Sequence, residues 1–321
     1  MAESTLTFRN DGGVEVYVRR WVPASPCRAI VVIVHGLAEH SARYERFAEA
    51  LAARGYAVFA PDLRGHGRTA GGDEHLGWAG PDGWNGMLRD LATVVELARA
   101  QYPATGIVLF GHSMGSFLAQ RFAQLHGPEL AGLILSGTSG SAPGIDAGIV
   151  ASRVLSVGGN ARKPSPLAKQ IFAGFNKPFA PGRTGFEWLS RDEAEVQKYV
   201  DDPWCGFPVS NRFFTDMLAG EREGWKRENE RELPTDLPVL LFAGDRDPVG
   251  RNGAGVTELT ERYRHVGMRD VSEMLYPQGR HEMLNETNRE QVVADVLGWL
   301  DEHTDQSTKM SSASGPPGET A

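Results

Sequence analysis

Cysteine is nearly absent: the 321-residue chain holds two, Cys27 and Cys205. Two cysteines so far apart build neither a disulfide framework nor a zinc site. A single Cys27–Cys205 bridge stays open, whereas two free thiols fit a reducing compartment. Long apolar runs are missing too. Segment 1–10 has no apolar stretch of the kind a signal peptide needs, and the longest run near the start, 29–34, is far too short to cross a bilayer. The expectation is a cytoplasmic protein, with peripheral contact to a membrane left open. Basic residues are outnumbered, 33 Lys and Arg against 41 Asp and Glu, for a formal net charge of −8. A polyanion partner needs a basic face, so no nucleic acid partner is expected. Neither a metal-ligand spacing nor a dinucleotide fingerprint stands out, so no metal and no cofactor are expected.

What is present is an ordinary globular composition, 41% hydrophobic and 23% charged, long enough for one large core. Short apolar runs alternate with helical patterns. Segments 14–22, 29–34, 56–60, 106–110, 130–136, 238–243 and 271–276 read as strands, and 29–34 is β-branched enough to be buried on both faces. Helical spacing marks 42–54, 84–101, 114–125 and 289–302. Such alternation predicts a mostly parallel sheet covered on both faces. The pattern breaks between Gly137 and Leu233, where Gly, Pro, aromatics and charge dominate. An insertion of that size between two strands reads as a cap, with helices expected over 146–157, 165–175, 191–200, 211–223 and near Glu228. The domain expectation is a core of 1–137 and 234–304, a cap of 138–233 and a disordered tail of 305–321, which is rich in Ser, Gly and Pro.

Gly111-His112-Ser113-Met114-Gly115 follows a strand and opens a helix, the context in which a G-x-S-x-G segment makes a serine a nucleophile. The serine sits on a sharp turn, and side chains two residues to either side would strike the neighbouring helix and strand. A serine needs a base and a group that orients it. Around such an elbow the partners follow in the order serine, acid, histidine. Gly244-Asp245-Arg246-Asp247-Pro248 follows a strand; Asp247 fits the G-x-x-D spacing, and Asp245 reads as a loop-capping carboxylate. Of nine histidines, His281 lies on the right side of the acid and before the last helix. His265 reads as a helix C-terminal cation, His303 as a solvated residue and His112 as structural. Two backbone N–H groups must hold the oxyanion. Met114 supplies one, and Leu37 in His35-Gly36-Leu37-Ala38-Glu39-His40 is the candidate for the other. His35 reads as a residue that holds this loop. Glu39, His40 and Asp73 read as substrate contacts or surface residues. The Gly-rich stretch Asp62-Leu63-Arg64-Gly65-His66-Gly67 is not a P-loop and reads as a structural loop beside the site.

In order, His35-Gly-Leu-Ala-Glu-His-Ser41 with Arg43-Tyr44, then Asp62-Leu-Arg-Gly-His-Gly67, Gly111-His-Ser-Met-Gly115, Gly244-Asp-Arg-Asp247 and Gly279-Arg-His281 resemble the monoacylglycerol lipase/lysophospholipase group of the α/β-hydrolases. The resemblance runs from about Leu6 to Glu302, and the HG-x-x-EHS-x-RY stretch is its most specific part. It implies an α/β-hydrolase fold: a mostly parallel eight-stranded sheet flanked by helices, with an inserted, mainly helical cap. It also implies a Ser113–Asp247–His281 triad, an oxyanion hole of Leu37 and Met114, and small lipid esters as substrates. The aromatics Phe172, Phe175, Phe179, Phe186, Trp188, Trp204, Phe207, Phe213 and Phe214 would either line an acyl pocket or pack the cap's own core. The apolar segment 145–157 would either touch a membrane surface or lie against the substrate-pocket residues. A carboxylesterase of short or aromatic esters is the rival of the same class. A non-catalytic ligand-binding scaffold is the rival of another class.

Overall fold

The structure, a computed structural model, describes residues 2–10 and 12–304; the expected tail of 305–321 lies outside the described residues. Eight strands form one sheet: β1 (Ala2–Arg9), β2 (Glu15–Val22), β3 (Ala29–Val34), β4 (Tyr56–Pro61), β5 (Ile107–His112), β6 (Gly132–Ser136), β7 (Val239–Gly244) and β8 (Val271–Tyr276). Their order is β1-β2-β4-β3-β5-β6-β7-β8. The β2 strand runs antiparallel to β1 and β4, and every pairing from β4 to β8 is parallel. The eight-stranded, mostly parallel sheet implied by the resemblance is therefore present.

The seven expected strands all form. The sequence reading missed β1, an edge strand that among its described side chains offers the core Leu6 and Phe8, both half-buried. Continuous burial of β3, β5 and β7 follows from helices on both faces, since each side of those strands meets apolar side chains. Helices α1 (Glu45–Ala53) and α10 (Arg289–Thr304) cover one face. Helices α2 (Gly83–Gln101), α3 (Met114–His126) and α9 (Ala254–His265) cover the other. The helix expected over 42–54 begins instead with a 3-10 turn, Ser41–Tyr44. His303 departs from expectation. Its ring stacks on Trp299 at 4.3 Å and lies 3.1 Å from Asp270, so it is half-buried rather than solvated.

Between β6 and β7 the chain forms α4 (Ile145–Leu155), α5 (Pro166–Phe175), α6 (Glu193–Asp201), α7 (Asn211–Gly224) and α8 (Arg227–Glu230). Their starts are marked by the expected chemistry. Ser165, Asp192 and Ser210 cap α5, α6 and α7 by accepting from N–H groups of the first turn. Helix α7 packs on α3 and α4 and buries Phe213 and Phe214, which join the main core rather than a separate one. Cys27 and Cys205 are both free, so the bridge left open by the sequence does not form.

Candidate active site

The parallel strands deliver their carboxyl ends to one edge of the sheet, and the loops there carry the candidate residues. Strand β5 ends at His112, the chain reverses at Ser113, and α3 starts at Met114. Ser113 has φ 52°, ψ −122°, a backbone conformation that L residues rarely adopt. The flanking glycines make this turn possible. A Cβ on Gly115 would lie 2.1 Å from the Val34 carbonyl oxygen, and one on Gly111 2.4 Å from the Gly115 carbonyl oxygen. The close approach of α3 to β3 and β5 thus tolerates no side chain at either position.

His281 is buried at 2% exposure, and its Nδ1 lies 3.0 Å from both carboxylate oxygens of Asp247, itself fully buried. A carboxylate only accepts, so Nδ1 donates, and Nε2 is left for a further partner. Burial pulls the His281 pKa down, but the Asp247 charge and hydrogen bond, with Glu282 and Glu39 behind them, hold it above the ordinary histidine value. Asp247 also accepts from Val249 N at 2.9 Å, which fixes its orientation. Asp245 accepts from Gln278 N in the adjacent loop, the capping role its position suggested. His265 is exposed at the end of α9.

The loop after β3 is held from several sides. His35 Nδ1 donates to Gly36 O at 2.8 Å, and its Nε2 accepts from Leu63 N at 2.9 Å. His66 donates to Arg64 O and accepts from Ala38 N at 3.1 Å. Both rings must be neutral for this. Burial pulls both pKa values down, that of His66 to about 3. Glu39 accepts from Gly36 N at 2.5 Å, while Tyr199 OH and Gly206 N both donate to Ala38 O. The N–H groups on either side of Leu37 are thus satisfied. Those of Leu37 and Met114 have no acceptor among the described residues. The sequence reading of His35 as a loop anchor holds. His66 was legible only as part of a Gly-rich loop.

Ser113, His281, Leu37 and Glu39 line one cavity of about 730 Å³. Its remaining wall is mostly apolar and comes from the β6–β7 insertion, including Phe172, Phe186, Trp188, Phe207 and Val209. Phe172, Phe186, Trp188 and Phe207 line this space, and Phe172, Phe175, Phe179, Phe186 and Trp188 also pack a small separate cluster with Leu189 and Tyr199, whereas Phe213 and Phe214 belong to the main core and fit neither reading. Trp188 packs its ring 4.9 Å from His281, and its carbonyl accepts from His281 N. His112 accompanies His281 at 4.7 Å; burial and the neighbouring His281 push it down to about 4. Glu39 and His40 turn out to be structural partners. Burial raises the Glu39 pKa, but the charge of Arg43 leads what outweighs it, with the Gly36 N–H hydrogen bond, and the carboxyl is held at about 2. His40 pairs with Asp202 at 2.8 Å, and Asp73 accepts from Trp204 Nε1 at the surface. Donor atoms of His40, Asp202 and Cys205 lie within 4.8 Å of one another. The Nε2 of that imidazole already pairs with the carboxylate, its buried Nδ1 has no partner, and burial pushes the thiol pKa up, away from the thiolate a metal needs.

A family model described as serine aminopeptidase S33, Hydrolase_4, matches residues 25–288. The chain belongs to this family. A monoacylglycerol lipase of Mycolicibacterium smegmatis is 29% identical over 94% of this chain and 98% of its own. A monoglyceride lipase homolog of Monkeypox virus is 31% identical over 89% of this chain and 94% of its own. A thermostable carboxyl esterase of Bacillus coagulans superposes with a TM-score of 0.89 at 30% identity, over 95% of this chain and all of its own. With these relatives the protein is a monoacylglycerol-lipase-like α/β-hydrolase, a carboxylic ester hydrolase.

Proposed function

We propose that the protein is a serine esterase of single-chain lipid esters, monoacylglycerols or lysophospholipid-like molecules, working through an acyl-enzyme on Ser113. The observation that carries this reading is the buried His281–Asp247 pair, whose histidine lines the same cavity as the strained Ser113. His281 Nε2 takes the Ser113 proton as Oγ attacks the ester carbonyl. Asp247 fixes the tautomer and stabilises the imidazolium. The Leu37 and Met114 N–H groups receive the oxyanion, in a hole where one donor is typically worth about a hundred- to a thousand-fold in turnover. His281 then protonates the leaving alcohol, and water repeats the cycle on the acyl-serine.

In this reading 138–233 is a cap over a core of 1–137 and 234–304, and the apolar cavity beneath it receives the acyl chain. A second reading, a carboxylesterase of short or aromatic esters, is favoured by the likeness to the Bacillus coagulans enzyme. A panel of p-nitrophenyl esters from acetate to palmitate, with monoacylglycerol and lysophosphatidylcholine, separates the two. The lipid reading expects kcat/KM to climb with chain length by up to about fourfold per added methylene, from about 0.8 kcal/mol of burial each. A maximum at acetate or butyrate supports the second reading.

Val150 and Val154 on α4 and Val157 just beyond it are 61%, 68% and 69% exposed at helical spacing. No helix among the described residues is long and apolar enough to cross a membrane. We assign this stripe to contact with a membrane surface and the protein to the cytoplasm, a compartment that suits its two free thiols. Replacing the three valines by serine should abolish co-sedimentation with liposomes; unchanged co-sedimentation removes the assignment.

A further inference from the structure

Arg43 sits between two buried carboxylates that belong to the two halves of the site. Its Nη1 and Nη2 form a fork on Glu282, at 2.6 and 2.7 Å, and Nη1 also reaches Glu39 at 2.7 Å. The side chains are 11%, 7% and 4% exposed for Arg43, Glu282 and Glu39. Glu39 accepts from Gly36 N, next to the Leu37 oxyanion donor, and from Tyr44 OH at 2.8 Å. Glu282 follows His281 directly, and its own N–H donates to Leu189 O at 2.8 Å. The guanidinium lies over the Tyr199 ring at 4.8 Å, and that tyrosine holds Ala38 O. The chain of contacts therefore runs without a gap from the oxyanion loop to the base.

We propose that Arg43 is a positioning residue that couples the oxyanion loop to His281 through Glu39 and Glu282. The proposal rests on the serine-esterase reading of the site. A planar guanidinium on two carboxylates fixes both distance and orientation, which a lysine ammonium does not. Two carboxylates and one guanidinium leave one net negative charge beside His281. The groups facing that ring are Asp247 from the loop after β7, His112 from β5, Glu282 on its own loop, and Glu39 with Arg43 from the loop after β3. His112 is neutral at ordinary pH and does not oppose the imidazolium. The sum favours the proton that His281 takes from Ser113.

The test is Arg43→Lys and Glu282→Gln, each compared with the unaltered protein by thermal melting, by kinetics on p-nitrophenyl butyrate and by the rate of fluorophosphonate labelling. Arg43→Lys should lower kcat and the labelling rate by roughly 10- to 100-fold, the scale of a small misplacement in a catalytic site, with KM changed by no more than about twofold. Glu282→Gln should lower kcat and move the acid limb of kcat/KM to lower pH, because a negative charge near the imidazolium is gone. If both variants fold and keep kcat, labelling rate and acid limb, the coupling does not exist and the ion pairs only staple the fold. Should Arg43→Lys fail to fold, the isosteric Glu282→Gln decides alone by its acid limb. Absence of any label on Ser113 in the unaltered protein would instead overturn the esterase reading itself.

Discussion

Gly115→Ala puts the elbow geometry to work as a prediction. The added Cβ would lie 2.1 Å from the Val34 carbonyl oxygen and 2.4 Å from that of His35, both backbone atoms, whereas real contacts essentially never fall under 3.0 Å. Strand β3 and helix α3 must part by about the 0.9 Å difference. Leu37 follows β3 and Met114 opens α3, so this movement spreads the two proposed oxyanion donors. Overpacking of this kind typically costs about 1–3 kcal/mol of stability. A displacement near 1 Å costs on the order of 100-fold in rate. The variant should therefore remain folded with a lowered melting temperature, and its kcat on p-nitrophenyl butyrate should fall on the order of 100-fold with a smaller change in KM. Turnover within about twofold of the unaltered protein, at the same melting temperature, would refute the reasoning.

The raised pKa of His281 sets the sign of a pH profile. The base must be neutral to accept the Ser113 proton, so kcat/KM rises with pH through a midpoint above the ordinary histidine value of about 6.5. In Asp247→Asn that midpoint moves down, and turnover falls by roughly ten-thousand-fold through loss of the tautomer; an unmoved midpoint contradicts the assignment. Glu221 on α7 is 6% exposed, and burial alone pushes its carboxyl up to about 8. The folded state therefore keeps a proton that the unfolded chain releases, and stability falls as pH rises from the usual carboxylate range toward 8, by up to about 1.4 kcal/mol per pH unit. Glu221→Gln should melt higher than the unaltered protein at pH 8 by a wider margin than at pH 5; equal margins remove the claim.

The parallel sheet, the helices between its strands and the helical character of the insertion were legible because β-branched runs and 3.6-residue spacing are local signals. The elbow was legible for a related reason, since Gly111 and Gly115 answer to close contacts that leave no alternative residue. Strand β1 was not legible, because an edge strand that among its described side chains offers the core Leu6 and Phe8 lacks the pattern that burial imposes. The packing of Trp188 against His281 was also out of reach, since it joins residues 93 positions apart and the sequence offers no pattern linking them. Arg43 and Glu39 stood in the most family-specific stretch, but their partner Glu282 carried no signal beyond adjacency to His281. His303 misled for the opposite reason: its place near the end of a helix suggested solvent, and the stacking surface of Trp299 lies one turn away.

The central claim is that Ser113 is activated by His281. Its most direct test is to expose the protein to a fluorophosphonate probe at neutral pH and locate the adduct by peptide mass spectrometry, with Ser113→Ala and His281→Ala alongside. One adduct is expected, on the Gly111–Gly115 peptide at Ser113, absent in Ser113→Ala and strongly slowed in folded His281→Ala. An unlabelled Ser113, or labelling that proceeds equally well without His281, would contradict it.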